Sequence, residues 1–183
     1  MDVERSEKAS GAVNQQERLD AYVAGFVDGE GCFHVAIQRN ESTRVGWQLV
    51  PEFRVNQDVA RIEVLHLVKR QIGCGLLREN HRGSHDHTFV VVVRKRSDLL
   101  GKVIPFFERN PLVSCKQQDF ATFARIVRGM NLGEHLEPDG FERLAAEALR
   151  MNGDGRYRRL HLMDSRSRIL RDHMPGTLST VEA

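Results

Sequence analysis

The sequence predicts an α+β fold in the order α-β-β-α-β-β-α with extra C-terminal helices, in which helices cover one face of an antiparallel sheet. Three observations carry this. The stretch Tyr22-Val23-Ala24-Gly25-Phe26-Val27-Asp28-Gly29-Glu30-Gly31 reads as a helix stopped by two glycines. Two pairs of segments have the period-two alternation or valine-rich make-up of strands. Between and after those pairs, apolar residues recur at helical spacing.

Met1 to Val13 is polar and mixed in charge and reads as a loose arm. Asn14 with Glu17, three residues on, has the pattern of a capping box and predicts the start of the first helix. On that helix Ala21, Ala24, Gly25 and Asp28 fall at i, i+3, i+4 and i+7, a face of small residues on which a second backbone can approach closely. Asp28 and Glu30 lie at the negative end of the helix dipole, where a carboxylate is disfavoured and a cation would remove the penalty. Cys32 to Asn40 alternates, with Phe33, Val35 and Ile37 on one side and His34, Ala36, Gln38 and Asn40 on the other. After the polar loop Asn40 to Arg44, Val45 to Val55 alternates again: Val45, Trp47, Leu49, Phe53 and Val55 against Gln48, Val50, Glu52, Arg54 and Asn56. Pro51 predicts an edge or a bulge there.

Val59 to Ile72 is amphipathic, with Ile62, Leu65 and Ile72 on one helical face and Gly73 as its stop. Cys74 to Asn80 reads as the third strand, His81 to His85 as a turn, and Asp86 to Arg96 as the fourth strand. Ser97 can cap a helix reaching Asn110. Lys116 to Met130 carries Phe120, Phe123, Val127 and Met130 at helical spacing, and Pro138 to Met151 reads as a last helix, acidic at its start and basic at its end. Asn152-Gly153-Asp154-Gly155 echoes the first motif's ending but lacks a small-apolar helix before it, so it reads as a loop. The expected division is an arm over 1–13, one domain over 14–152, and a tail over 153–183 made basic by Arg156, Arg158, Arg159, Arg166, Arg168 and Arg171.

With 27 Lys and Arg against 25 Asp and Glu, the net charge of +2 does not argue for a nucleic-acid partner; the placement of the charges has to. Strand parity puts His34, Gln38, Asn40, Gln48, Arg54, Arg78, Asn80 and Arg94 on the sheet face away from the helices, with Arg44 and Arg82 in the adjoining loops. Arg, Gln and Asn are the side chains that bond bidentately to guanine and adenine edges, and a two-stranded ribbon fits the major groove. A merely solvated sheet face is the plainer alternative. No apolar run is long enough to span a membrane, the charged N-terminus has no signal-peptide pattern, and Cys32, Cys74 and Cys115 suit a reducing compartment. The expectation is a soluble intracellular protein, with bacterial cytoplasm and organelle not distinguished.

From Val23 onward, the opening stretch resembles the signature of the LAGLIDADG homing endonucleases of the single-motif type: apolar, small, Gly, apolar, apolar, Asp, Gly, acidic, Gly. The resemblance implies that family's αββαββα fold. It also implies metal-dependent cleavage of double-stranded DNA at a long, partly palindromic site. Glu30 matches the acidic residue that holds the cation, Mg²⁺ or Mn²⁺, together with the Gly29 carbonyl. Phe53 to Arg61 is similar to a segment in which a Gln and an Arg border the active site, matching Gln57 and Arg61, read here as the start of one helix. Leu112 to Gln118 is similar to the place of a catalytic-site lysine, matching Lys116. A single motif per chain implies a homodimer through Ala21, Ala24, Gly25 and Asp28. The alternative is a DNA- or RNA-binding protein of the same fold without cleavage, an intron maturase or a regulator. An interaction domain that binds no nucleic acid would leave the basic sheet face and tail unexplained.

Overall fold

The computed structural model describes residues 2–80 and 87–154. Helix α1 (Asp2–Glu30) leads directly into strand β1 (Gly31–Arg39), which turns back as β2 (Trp47–Asp58). A 3₁₀ turn at Val59–Arg61 opens α2 (Ile62–Ile72), and β3 (Leu76–Glu79) and β4 (Thr88–Val93) follow. A short α3 (Arg96–Asp98) passes through a π-helical turn (Leu99–Val103) into α4 (Ile104–Arg109), then come α5 (Lys116–Asn131) and α6 (Pro138–Asp154). The sheet is antiparallel throughout, in the order β1-β2-β4-β3. The predicted element order is the observed one.

The joint between α1 and β1 depends on Gly31. A β-carbon there would stand 2.5 Å from Val27 Cγ1 and 2.8 Å from Val27 O, so any other residue would push the strand off the helix end. Gly73 ends α2 at φ 78°, a left-handed conformation in which a β-carbon is strained. β2 pairs with β1 from Trp47 to Val55 and with β4 only from Phe53 to Asp58, so Pro51 stands where β2 has a single strand neighbour, opposite Val35.

The core lies on one face of the sheet. Phe33 is its hub, with ring centroids 5.2 Å from Phe53 and Phe120, 5.3 Å from Phe107 and 5.4 Å from Phe123. Val23 and Val27 of α1, Leu65, Val68 and Ile72 of α2, and Phe141, Leu144 and Ala148 of α6 close over the same cluster. Deleting a ring such as that of Phe33 would cost about 3–5 kcal/mol. Among the described residues, no helix is long and apolar enough to cross a membrane.

Several local expectations are corrected. α1 starts at Asp2, so Asn14 and Glu17 lie within the helix and are not its cap. A capping-box spacing is a local signal, and it does not exclude helix upstream. Gln57 is the penultimate residue of β2, and Arg61 ends the 3₁₀ turn, so the two do not begin one helix. Ser97 lies inside α3 and Lys95 precedes it without a side-chain cap. α6 is bounded at Asp154, past the expected end at Met151, with Asn152 in a left-handed conformation at φ 57°, and the last turn has no basic residue. Arg82, the predicted turn and most of the basic tail lie outside the described residues.

Candidate active site

The site forms where α1 ends. The loop leading into α5 docks on this end through Asp28, whose carboxylate accepts from the Val113 and Ser114 backbone N–H groups at 3.2 and 3.0 Å and from the Ser114 hydroxyl at 2.5 Å. The Ser114 hydroxyl bond is the main cause that holds the Asp28 carboxyl below its ordinary value; modest desolvation opposes it, and the two backbone bonds and the Lys116 charge add to it. The Ser114 oxygen in turn accepts from the Lys116 backbone N–H at 3.1 Å. This fixes Lys116 at the first position of α5 and aims its side chain back at α1. Its ammonium donates to Val27 O at 3.0 Å and to Gly29 O at 3.3 Å. α1 has no basic residue in its own last turn. Lys116 supplies from outside the positive charge that the helix's negative end favours.

Glu30 is exposed beside these groups, as is Gly29. The register Gly31↔Val55 brings the end of β2 alongside the end of α1, so Asn56 and Gln57 follow at the same edge. The Gln57 side-chain oxygen accepts from the Asp58 N–H at 2.9 Å, which leaves its amide nitrogen as a donor. Asp58 accepts from the Ala60 N–H at 2.8 Å and so shapes the turn that carries the exposed Arg61. The oxygens here that could hold a hard cation are the exposed Glu30 carboxylate and the Gly29 carbonyl, the latter already accepting from Lys116 at 3.3 Å. These oxygens suit Mg²⁺ in kind, but they are fewer than its octahedral shell requires. Among the described residues, no group of three or more His, Cys, Asp or Glu could hold a metal.

The small-residue face divides in two. Ala24 is 6% exposed and packs into its own chain's core, and Asp28 is taken up by the Ser114 loop. Ala21 and Gly25 remain exposed, and a β-carbon on Gly25 would meet nothing within 4 Å. Tyr22, which sequence reasoning passed over, is 55% exposed next to them and stacks on Phe26 with ring centroids 6.5 Å apart. The available signal was a large aromatic between the small residues Ala21 and Ala24 of that helix.

The parity assignment of the open sheet face agrees with the register. Gln38 pairs with Gln48, Cys32 with Arg54, and Arg78 with Val90. Asn40 donates to Gln48 at 2.8 Å and Gln48 to Gln38 at 3.2 Å, a polar chain across the β1–β2 end. Arg54 donates to Asn80 at 3.0 Å, and Arg94 to Glu52 at 2.5 Å. Arg78 is exposed at the β3 edge, and His34 stands across from Glu52. Arg44 is turned away from this set: its guanidinium binds both Glu137 oxygens, at 3.0 and 3.1 Å. The centre of the face is less polar than composition suggests, because Val90 and Val92 also point to it and are buried beneath their longer neighbours.

Residues 23–127 match the family described as LAGLIDADG endonuclease. The chain belongs to the LAGLIDADG endonuclease family. Among solved structures of this family's members, the homing endonuclease I-TnaI is 40% identical and superposes with a TM-score of 0.72, covering 85% of this chain and 97% of that one. I-SmaMI, a LAGLIDADG homing endonuclease solved on cleaved DNA, is 29% identical with a TM-score of 0.69, over 74% of this chain and 44% of its own. It has also been solved on uncleaved target in the presence of calcium ions. A probable intron-encoded endonuclease of Schizosaccharomyces pombe, Cox1-I1b, is 28% identical over 69% of this chain. The present chain spans 32% of that relative's length. The four-stranded antiparallel sheet with helices on one side is the architecture that this LAGLIDADG member shares with its solved relatives.

Proposed function

We propose that the chain is one subunit of a homodimeric, sequence-specific endonuclease that hydrolyses both strands of a long pseudo-palindromic DNA site with Mg²⁺ or Mn²⁺. The observation that carries the reading is the Lys116 ammonium held at the Gly29 carbonyl, immediately beside the exposed Glu30. Phosphodiester cleavage gathers negative charge on phosphoryl oxygens, so a carboxylate that can hold a cation and a fixed ammonium are the groups it needs.

Glu30 and the Gly29 carbonyl would hold the cation, with a second copy's equivalents and phosphate oxygens completing its shell. The bound cation would supply Lewis acidity, lowering a water's pKa and stabilising the leaving oxygen. Lys116 adds a positive charge already held at the site by the Val27 carbonyl, and it would give up its bond to Gly29 O where the cation takes that oxygen. Gln57 offers its amide nitrogen to a water or phosphate oxygen, and exposed Arg61 offers a guanidinium to the backbone. The dimer reading is supported by coverage, because a chain of this size accounts for 97% of I-TnaI but 44% of I-SmaMI. Its contact would be made by Ala21 and Gly25 with Tyr22 alongside, while Ala24 and Asp28 hold the helix in place from within. β1 has nine residues. At about 3.3 Å each these cover about eight or nine base pairs, so a dimer would read a site on the order of 16–24 base pairs. Such a substrate goes with an intracellular setting.

The test is selection of cleaved sequences from a random duplex pool with Mg²⁺ present. Recovery of one related set of sites, lost on chelation, is the expected result. Sequence-specific retention without cleavage under any divalent cation would instead indicate a binding protein. A failure to be retained on duplex DNA at low salt would refute the nucleic-acid reading altogether.

A further inference from the structure

Glu52 is the one buried charged residue among the described residues, 8% exposed, and it lies on the open sheet face, not in the core. Across β1 it faces His34. One step beyond the Phe53↔Val93 pair, the same register sets Arg94 opposite it on the β4 side. The Glu52 carboxylate accepts from Arg94 Nε at 2.5 Å, and its other oxygen stands 3.9 Å from a terminal nitrogen of Arg54. Arg54 is braced a second time, by its bond to Asn80 at 3.0 Å. Two guanidiniums thus sit over one recessed carboxylate in the middle of a face rich in donors.

The geometry points to Glu52 as a positioning residue that presets Arg94 to read a guanine in each half-site; this rests on the DNA-binding reading above. A guanidinium held through Nε keeps its two terminal nitrogens in plane and available, the edge that bonds bidentately to guanine O6 and N7. The Arg94 side chain is 62% exposed, so that edge can reach a ligand, whereas Glu52 itself is too recessed to accept from a cytosine amino group. An arginine fixed beforehand loses less rotamer entropy on binding than a free one. The carboxylate also cancels one positive charge, which weakens attraction to phosphates that carry no sequence information.

The experiment measures binding of the full chain to its selected site and to every single-base variant of that site, for the unmodified protein, Glu52→Gln, Arg94→Ala and the double variant. Glu52→Gln should lose about tenfold of discrimination, about 1.4 kcal/mol, at one G·C pair per half-site. It should at the same time bind unrelated duplex more tightly. Arg94→Ala should relax the same pair, and the double variant should add nothing further there. Thermal unfolding of each variant separates this from a structural role, which would weaken binding to all sequences alike. If Glu52→Gln keeps full preference, or relaxes a pair that Arg94→Ala leaves intact, the positioning role is wrong while DNA reading stands. If the unmodified protein prefers no sequence, both proposals fall.

Discussion

Replacing Gly25 by leucine sets the stability of the subunit against that of its assembly. In the isolated chain the position is exposed and mid-helix, and a β-carbon there meets nothing within 4 Å. Glycine is the worst ordinary residue in a helix interior, so leucine should stabilise the subunit by about 0.5–1 kcal/mol. For a chain of this size that raises the unfolding midpoint by about 1–4 °C. At a twofold where two backbones touch, the same leucine is inserted twice. Overpacking costs about 1–3 kcal/mol per insertion, hence about 2–6 kcal/mol for the pair, which weakens the dimer at least about thirtyfold. Sedimentation across a concentration series, with and without a bound duplex, reads the second effect, and thermal unfolding at a concentration where both proteins are monomeric reads the first. The expected outcome is a subunit more stable than the original and unable to pair. A Gly25→Leu protein that dimerises as tightly as the parent would refute the proposed contact. A subunit destabilised by the change would refute the openness of that helix face.

The other predictions address the site and the sheet. Glu30→Gln keeps the shape and removes the charge of the proposed metal ligand, so cleavage should vanish with duplex binding largely retained; gel assays of cleavage and retardation on the same site check this, and substantial cutting would reject the ligand. Arg54→Ala or Arg78→Ala should cost about 1–3 kcal/mol at one position per half-site if the contact is bidentate to a base, whereas loss of a phosphate contact would weaken all sequences and reduce the salt slope. Titration at several salt concentrations distinguishes the two, and unchanged preference in both variants would show that another surface reads the DNA. The Ser114 hydroxyl holds the Asp28 carboxyl below the ordinary carboxylate value in the fold, so its contribution to stability is present above that ordinary value and lost as pH falls through the lower one. Asp28→Asn should therefore destabilise at pH 6 but much less at pH 3, measured by thermal unfolding, and an equal effect at both would contradict the Ser114 contact as its cause.

How much of this was legible in the residues follows from the range over which each signal acts. Strand faces were, because the side-chain period is two and one face must be apolar: Phe33, Phe53 and Val55 are fully buried, and Arg54 and Gln48 stand opposite them. The helix ends at Gly73 and Gly31 were legible too, since a left-handed turn and a close backbone approach admit little else. The expectation that Lys116 lies at the end of the first helix came only through the resemblance, because 85 residues separate it from Glu30 and nothing local links the two; the structure puts its ammonium on Gly29 O.

What the tertiary structure alone decided concerns partners distant in the chain. Spacing put Ala24 and Asp28 on the same face as Ala21 and Gly25, but a helix has neighbours on several sides. Which residues stay open depended on the core closing over Ala24 and on the loop at Ser114 docking on Asp28. The sequence put Arg44 in a loop adjoining the open face, and Glu137, 93 residues away, holds it off that face. Parity likewise put Glu52 among the polar residues of that face, but only the packing of Arg94 and Arg54 over it makes it a buried carboxylate. By itself the sequence determined the fold class, the strand faces and the motif, because those rest on local sterics and periodic burial. The site's working contacts are set by side chains meeting across long loops, and no period or spacing encodes them.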